Sequence, residues 1–140
     1  YMINDSMANL LRIIHYPPLN SDAEKGAIRA AAHEDINLIT ILVTGSKPGL
    51  QVKTKENIWV DIECNPGWLV INNGDMLAEC SNNYFPSTSH RVINPIDENK
   101  NYSRYTMPLF LHPRDEVKLS NKYTASSYLK ERLLEIGLKS

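Results

Sequence analysis

The chain has 140 residues, 42% of them hydrophobic and 22% charged, with a formal net charge of −1 at pH 7. This length suits one soluble domain with a hydrophobic core and leaves too little chain for two domains. Lysine and arginine are scattered along a nearly neutral chain, so we expect small-molecule partners rather than nucleic acid or an anionic membrane.

Two further features bear on the cellular location. No run approaches the ~20 apolar residues that a membrane-spanning helix needs. Cys64 and Cys80 do not form a C-x-x-C pair, which favours free thiols in a reducing compartment over a disulfide framework. These features predict a cytoplasmic protein.

Short apolar or alternating stretches follow one another through most of the chain, separated by turn residues such as Gly, Pro and Asn. Their lengths are typical of β-strands. In the first stretch, alternation places Ile14 and Tyr16 on one face and His15 on the other. The predicted strands are residues 10–16, 30–36, 38–43, 50–52, 58–62, 68–72, 76–80, 87–93 and 103–111.

The second stretch carries a possible half of a metal site. If residues 30–36 are extended, His33 and Asp35 point to one face and Glu34 points to the other. A second histidine from a distant strand would complete a set of two histidines and one carboxylate, which leaves adjacent metal positions open. His90 lies on such a strand, and Arg104 follows on the last one. His90 and Arg104 either pair across a hairpin or face each other across a barrel.

One helix is predicted, over residues 125–136. Leu129, Leu133 and Ile136 recur at helical spacing, Thr124 or Ser126 can cap the start, and Gly137 follows the end. Short successive strands with one terminal helix favour a mainly β jelly roll, which closes its sheets into a barrel.

Several motifs occur in a fixed order between about residue 11 and residue 111. They are LRIIHYPP (11–18), AHED (32–35), GLQV (49–52), PG (66–67), NNGD (72–75), STSHRV (87–92) and RYT (104–106). With these motifs together, the sequence resembles the iron(II)- and 2-oxoglutarate-dependent dioxygenases of the isopenicillin N synthase-like group.

This resemblance implies a double-stranded β-helix and an enzyme that couples oxidative decarboxylation of 2-oxoglutarate to oxidation of a small organic substrate by O2. The oxidation would be a hydroxylation, a desaturation or a cyclisation. The implied ligands of Fe(II) are His33, Asp35 and His90. The remote carboxylate of 2-oxoglutarate would be bound by Arg104 and the Thr106 hydroxyl, with Tyr16 assisting.

The chain also departs from the family pattern. Position 106 is Thr where Ser is usual, and position 14 is Ile where many members have Asn. We expect residues 1–140 to form one catalytic-core domain, with the β-helix over 11–111 and the helix over 124–137, that lacks the family's N-terminal region. Two alternatives stay open: an iron oxidase of this family that does not use 2-oxoglutarate, and a non-catalytic jelly-roll binding module.

The remaining candidate side chains are given structural or surface roles. Trp59 and Trp68 lie in apolar strands and are expected in the core. Asp75 follows Asn-Gly and is expected to fix a turn through its backbone. Surface positions or structural hydrogen bonds are expected for His15, Glu34 and His112. Arg91 is expected to point out of the barrel and to pair with a carboxylate or water.

Overall fold

The computed structural model describes residues 1–19, 26–43, 47–63, 65–95 and 101–138, so Cys64 lies outside the described residues. These ranges contain ten β-strands and two α-helices. In chain order they are β1 (Leu10–Leu11), β2 (Ile14–Tyr16), β3 (Ala30–His33), β4 (Ile39–Val43), β5 (Leu50–Lys53), β6 (Trp59–Asp61), β7 (Leu69–Asn73), α1 (Asp75–Cys80), β8 (His90–Val92), β9 (Arg104–Thr106), β10 (Pro108–Leu111) and α2 (Ala125–Glu135).

The strands form three antiparallel sheets that surround one cavity. The two four-stranded sheets have the orders β1-β10-β4-β7 and β3-β8-β5-β6, and β2 pairs with β9 in a two-stranded sheet. Strands of all three sheets contribute side chains to the cavity wall. The mainly β jelly-roll fold with a C-terminal helix is therefore confirmed.

Two predicted strands are each divided in the structure. The chain leaves β1 at Arg12 and enters β2 at Ile14, and it leaves β9 before Met107 and enters β10 at Pro108. Both breaks occur where the paired segments pass from the small sheet to a four-stranded sheet, because β1 pairs with β10 and β2 pairs with β9. Pro108 has no backbone N–H for a continuous ladder, which favours a break at this point.

The prediction of an extended segment over residues 76–80 is wrong. These residues form most of α1, whose sequence DMLAEC contains the good helix formers Met, Leu, Ala and Glu. Met76 and Ala78 are buried in this short helix. Packing and intrinsic propensity thus agree on a helix.

A hydrophobic core packs α1 against α2. Its buried members are Leu38, Met76, Leu119, Ala125 and Tyr128. The predicted terminal helix is confirmed.

Both ends of α2 carry the expected local signals. Thr124 caps the helix in a reciprocal capping box with Ser127. Gly137 follows the helix with a φ of +80°, which glycine adopts without a Cβ penalty.

The prediction that both tryptophans lie in the core is wrong. Trp68 is 58% exposed, and Trp59 is half-buried with the Arg91 guanidinium 4.2 Å from the centre of its ring. β6 and β7 are the outermost strands of their sheets, and Trp68 directly precedes β7. Apolar residues at a sheet edge have fewer neighbours to cover them than residues of a central strand.

A row of apolar side chains crosses the β1-β10-β4-β7 sheet. Leu11, Leu109, Ile41 and Ile71 are successive cross-strand partners in this row. Leu11 is 60% exposed and Ile71 is 65% exposed.

Among the described residues, neither helix is long and apolar enough to cross a membrane.

Candidate metal centre

The cavity between the sheets has a volume of about 320 Å³. Its wall is largely aliphatic, with side chains such as Leu50, Val52 and Val70. The charged and polar side chains in the same wall are His33, Asp35, Thr40, Asn72, Thr88, His90, Arg104, Thr106 and the phenol of Tyr16. An apolar pocket with a few convergent polar groups is typical of a small-molecule site.

Three possible metal ligands converge in this wall. His33 at the end of β3 is the cross-strand partner of His90 in β8, and Asp35 lies two residues after His33. The Nε2 atoms of His33 and His90 are 3.9 Å and 3.7 Å from Asp35 Oδ1. One ligand atom from each side chain lies within 4.8 Å of the other two.

The hydrogen bonds of the two imidazoles fix which nitrogen faces the carboxylate. His33 Nδ1 lies 2.8 Å from the Ala31 carbonyl oxygen, and His90 Nδ1 lies 3.0 Å from the Thr88 carbonyl oxygen. A carbonyl only accepts, so each Nδ1 carries the hydrogen and each Nε2 of a neutral ring presents a lone pair. Two imidazole lone pairs and a carboxylate oxygen that meet in this way are the donor set that a divalent metal satisfies.

The second oxygen of Asp35 is held by neutral side chains. The Thr40 hydroxyl donates to Asp35 Oδ2 at 2.6 Å, and Asn72 Nδ2 donates to the same oxygen at 3.0 Å. Asn37 Nδ2 in turn donates to Thr40 Oγ1 at 2.9 Å. The sequence reasoning missed these three residues, although Thr40 interrupts an apolar strand and a buried hydroxyl there needs a partner.

The start of α1 anchors the segment that carries Asp35. The backbone N–H of Asp75 donates to the Asp35 carbonyl at 2.8 Å, and that of Met76 donates to the Asn37 carbonyl at 3.1 Å. A Cβ on Gly74 would lie 2.1 Å from the Asn37 carbonyl oxygen. Asp75 thus acts through its backbone, as predicted, but at a helix start rather than in a turn.

Gly74→Ala should destabilise the fold and weaken binding of divalent metal. The added Cβ meets backbone atoms that cannot rotate away, so we expect a loss of about 1–3 kcal/mol in the free energy of unfolding. Urea unfolding and a Mn(II) titration would measure the two effects.

Gly67→Ala is the matched control for this change. Gly67 has a φ of +83°, and no described atom lies within 4 Å of the place that an added methyl group would take. Alanine therefore costs about 1–2 kcal/mol of backbone strain there. Metal affinity should be unchanged in this control. Equal metal affinities in both variants would contradict the anchoring role of Gly74.

A second group of polar side chains enters the cavity from β2 and β9. Arg104 is 1% exposed, and its Nε donates to the Lys47 carbonyl at 3.3 Å. Its guanidinium carbon lies 5.5 Å from the centre of the Tyr16 ring. Thr106 Oγ1 is buried and has no hydrogen-bond partner among the described residues, and Ile14 is the cross-strand partner of Thr106. A ligand with acceptor oxygens would satisfy the Thr106 hydroxyl.

The structure decides how His90 and Arg104 are related. β8 belongs to the β3-β8-β5-β6 sheet, whereas β9 pairs with β2. The two residues therefore do not pair across a hairpin, and both line the shared cavity from different sheets.

The other histidines have structural environments. The His15 ring stacks on Tyr105 and its Nε2 lies 3.0 Å from Ser103 Oγ. His112 is half-buried, and burial lowers its pKa. The histidines outside the metal group thus have the roles that the sequence predicted.

The charged neighbours of His33 and His90 also point away from the cavity. Glu34 is exposed and does not line the cavity wall. Arg91 Nε donates to the Gln51 side-chain oxygen at 2.7 Å, so its partner is an amide rather than the predicted carboxylate or water.

Comparison with known proteins shows to which family this chain belongs. Residues 7–113 match the model of the 2OG-Fe(II) oxygenase superfamily. The chain belongs to this superfamily. The resemblance inferred from the sequence motifs is confirmed.

Solved structures of similar proteins share the fold of this superfamily member. A protein from Shewanella oneidensis, provisionally assigned as an oxygenase, has a TM-score of 0.87 and 61% identity over 97% of this chain and 50% of its own. A full-length protein of Neurospora crassa, solved in complex with alpha-KG (2-oxoglutarate), has a TM-score of 0.80 and 30% identity over 91% of this chain and 44% of its own.

A curated relative agrees with the structural neighbours. A 2-oxoglutarate-Fe(II) type oxidoreductase of Aspergillus fumigatus is 35% identical over 102 residues, which are 71% of this chain and 29% of that protein. The chain thus spans about half of the two structural neighbours and less than a third of this relative. The family and the His-Asp-His group together support Fe(II) and 2-oxoglutarate as metal and cosubstrate.

Proposed function

We propose that the protein is a non-haem iron(II) oxygenase that couples oxidative decarboxylation of 2-oxoglutarate to oxidation of a small organic molecule. One observation carries the proposal. The three metal-ligand side chains share a single cavity with a buried guanidinium and with a buried hydroxyl that has no partner among the described residues. A metal would satisfy the three ligand side chains, and a carboxylate ligand would give the Thr106 hydroxyl an acceptor.

In this proposal, His33, Asp35 and His90 bind Fe(II) through Nε2, Oδ1 and Nε2. Iron bound there would catalyse the reaction of 2-oxoglutarate, O2 and the substrate. The products would be succinate, carbon dioxide and the oxidised substrate. The hydrogen bonds of each Nδ1 orient the imidazoles, since they fix both the ring plane and the tautomer.

Arg104 and Thr106 would bind the remote carboxylate of 2-oxoglutarate. Fe(II) with one carboxylate ligand carries a charge of +1, and the cosubstrate dianion changes the sum to −1. The Arg104 guanidinium neutralises this excess and can clasp a carboxylate with two parallel hydrogen bonds. The Thr106 hydroxyl adds a donor, and the ring of Tyr16 stands beside the guanidinium.

Measurement of succinate tests this function and separates it from the alternatives. The protein is incubated in air with Fe(II), 2-oxoglutarate and ascorbate, which supplies the two electrons that the unidentified substrate would give, and succinate and O2 are followed together. We expect succinate to form only when iron and O2 are both present. Consumption of O2 without succinate would favour the iron oxidase. Absence of both, in a folded protein, would favour a binding module.

We propose that residues 1–140 form one catalytic-core domain of a protein with further structure. The family model spans 7–113, the compared relatives are longer, and the apolar row across the β1-β10-β4-β7 sheet leaves Leu11 and Ile71 exposed. The cavity volume suits a small organic substrate. Limited proteolysis should leave this region as a single resistant fragment.

We also propose a cytoplasmic location and no nucleic-acid or membrane partner. Cys80 is a free thiol, which is usual in a reducing compartment. The net charge of −1 and the scattering of lysine and arginine along the sequence disfavour binding to polyanions. Cell fractionation with an antibody to the native protein would test the location.

A further inference from the structure

We propose that Thr40, Asn37 and Asn72 are positioning residues that restrict Asp35 to binding the metal through Oδ1 alone. The inference rests on the proposed metal site. It assigns a function to three neutral side chains that do not themselves touch the metal, and it concerns how many metal positions stay open for the reactants.

The hydrogen bonds around Asp35 leave one oxygen for the metal. Oδ2 accepts from the Thr40 hydroxyl at 2.6 Å and from Asn72 Nδ2 at 3.0 Å. These two donors occupy the lone pairs of Oδ2, because a carboxylate oxygen has about two acceptor sites. Oδ1 is the oxygen that lies nearest to the imidazole Nε2 atoms.

The direction of the Thr40 hydrogen bond is set by Asn37. The Asn37 amide donates to the Ile39 carbonyl at 3.0 Å and to Thr40 Oγ1 at 2.9 Å. Because the Ile39 carbonyl can only accept, the amide nitrogen must be the atom on this side. Thr40 therefore receives a hydrogen from Asn37 and gives its own hydrogen to Asp35.

Burial makes this arrangement rigid. Asn37, Thr40 and Asp35 are 1%, 5% and 7% exposed, so water does not compete freely for the carboxylate. Hydrogen bonds to a buried charged group are stronger than those between neutral groups. Rotation of Asp35 to bring both oxygens toward the metal would break two of them.

The consequence is an extra open position at the metal. An octahedral metal bound by His33, His90 and one Asp35 oxygen keeps three adjacent positions for reactants, whereas chelation by both oxygens would leave two. A chelating 2-oxo acid takes two positions by itself. O2, the second reactant, needs the third position. The Thr40 and Asn72 hydrogen bonds thus keep this third metal position open.

Mn(II) is a suitable probe for this inference, since its bound waters can be counted from EPR line broadening in ¹⁷O-enriched water. Wild-type protein should hold Mn(II) with three waters. In Thr40→Val, Oδ2 keeps the Asn72 hydrogen bond but regains one lone pair, with which it should join the metal, so we expect two waters. Loss of the hydrogen bond that orients the ligand should lower the affinity about tenfold. Thr40→Ser keeps the hydroxyl and should restore both values.

Two further variants keep the test decisive. Asn72→Leu removes the other donor from a partly buried position and should also lower the water count, even if Thr40→Val does not fold. Thr54→Val makes the same threonine change in the turn between β5 and β6, away from the cavity wall, and should leave Mn(II) binding unchanged.

The number of waters decides the result. A merely structural role for Thr40 and Asn72 would weaken the affinity but leave three waters, and that outcome would overturn the inference. Failure of wild-type protein to bind Mn(II) would instead overturn the proposed metal site, and this inference with it.

Discussion

Asp35→Asn should abolish metal binding. Asp35 supplies the only negative charge among the three converging ligands, and it is buried. The introduced amide can turn its oxygen toward the Thr40 and Asn72 donors, which already bond Oδ2. Its NH2 group would then face the two imidazole lone pairs and satisfy them by hydrogen bonds instead of a metal.

Metal content measured after exchange into an Fe(II)- or Mn(II)-containing buffer checks this expectation. We expect at least a hundredfold loss of affinity, since removal of a ligand exceeds the 10–100-fold loss typical of its hydrogen-bond partners. Glu34→Gln is the matched control, because this neighbouring carboxylate is exposed and lies outside the cavity wall. Retention of metal at wild-type stoichiometry in Asp35→Asn would remove Asp35 from the site.

Arg104→Lys should weaken 2-oxoglutarate binding by an order of magnitude or more while metal content stays the same. Lysine keeps the positive charge but loses the planar fork that binds a carboxylate through two parallel hydrogen bonds. The change also removes the Nε that donates to the Lys47 carbonyl and the planar group beside the Tyr16 ring.

Calorimetric titration of Mn(II)-loaded protein with 2-oxoglutarate in the absence of O2 measures this effect. Arg91→Lys is the matched control, since the Arg91 guanidinium packs on Trp59 and bonds Gln51 rather than lining the cavity. An unchanged affinity in Arg104→Lys would place the cosubstrate carboxylate elsewhere.

Local alternation and chain order were enough to predict which side chains meet. His33 is the last residue of β3 and Asp35 lies two residues beyond the strand end, whereas the prediction of one face for both assumed an extended segment over 30–36. His90 and Arg104 follow on later strands, and a closed barrel brings such strands around one cavity. The structure brings all four together, while their roles toward metal and cosubstrate stay predictions.

The supporting groups could not be predicted in the same way, because their partners come from distant parts of the chain. Asn72 reaches Asp35 from β7, which is the edge strand of a different sheet from β3. The close approach of Gly74 to the Asn37 carbonyl results from the packing of α1 against the segment that follows β3. An Asn-Gly-Asp sequence by itself indicates a turn, and the helix that follows it was missed.

The two strand breaks and the exposure of the tryptophans also could not be predicted from the local sequence. Residues 10–16 carry no local sign that the run changes sheets, and in residues 103–111 only Pro108, which has no backbone N–H, marks the place of the break. Trp59 and Trp68 look like core residues until the sheet order places their strands at the edges. Pairing partners, rather than propensity, decide these features.

Anaerobic addition of Fe(II) and then 2-oxoglutarate to the folded protein tests the central claim most directly. A 2-oxo acid that chelates Fe(II) in the site produces a weak visible charge-transfer absorption. We predict that this absorption appears, saturates near one equivalent of 2-oxoglutarate, and is absent in Asp35→Asn. Folded wild-type protein that shows no such absorption with both additions would contradict the account.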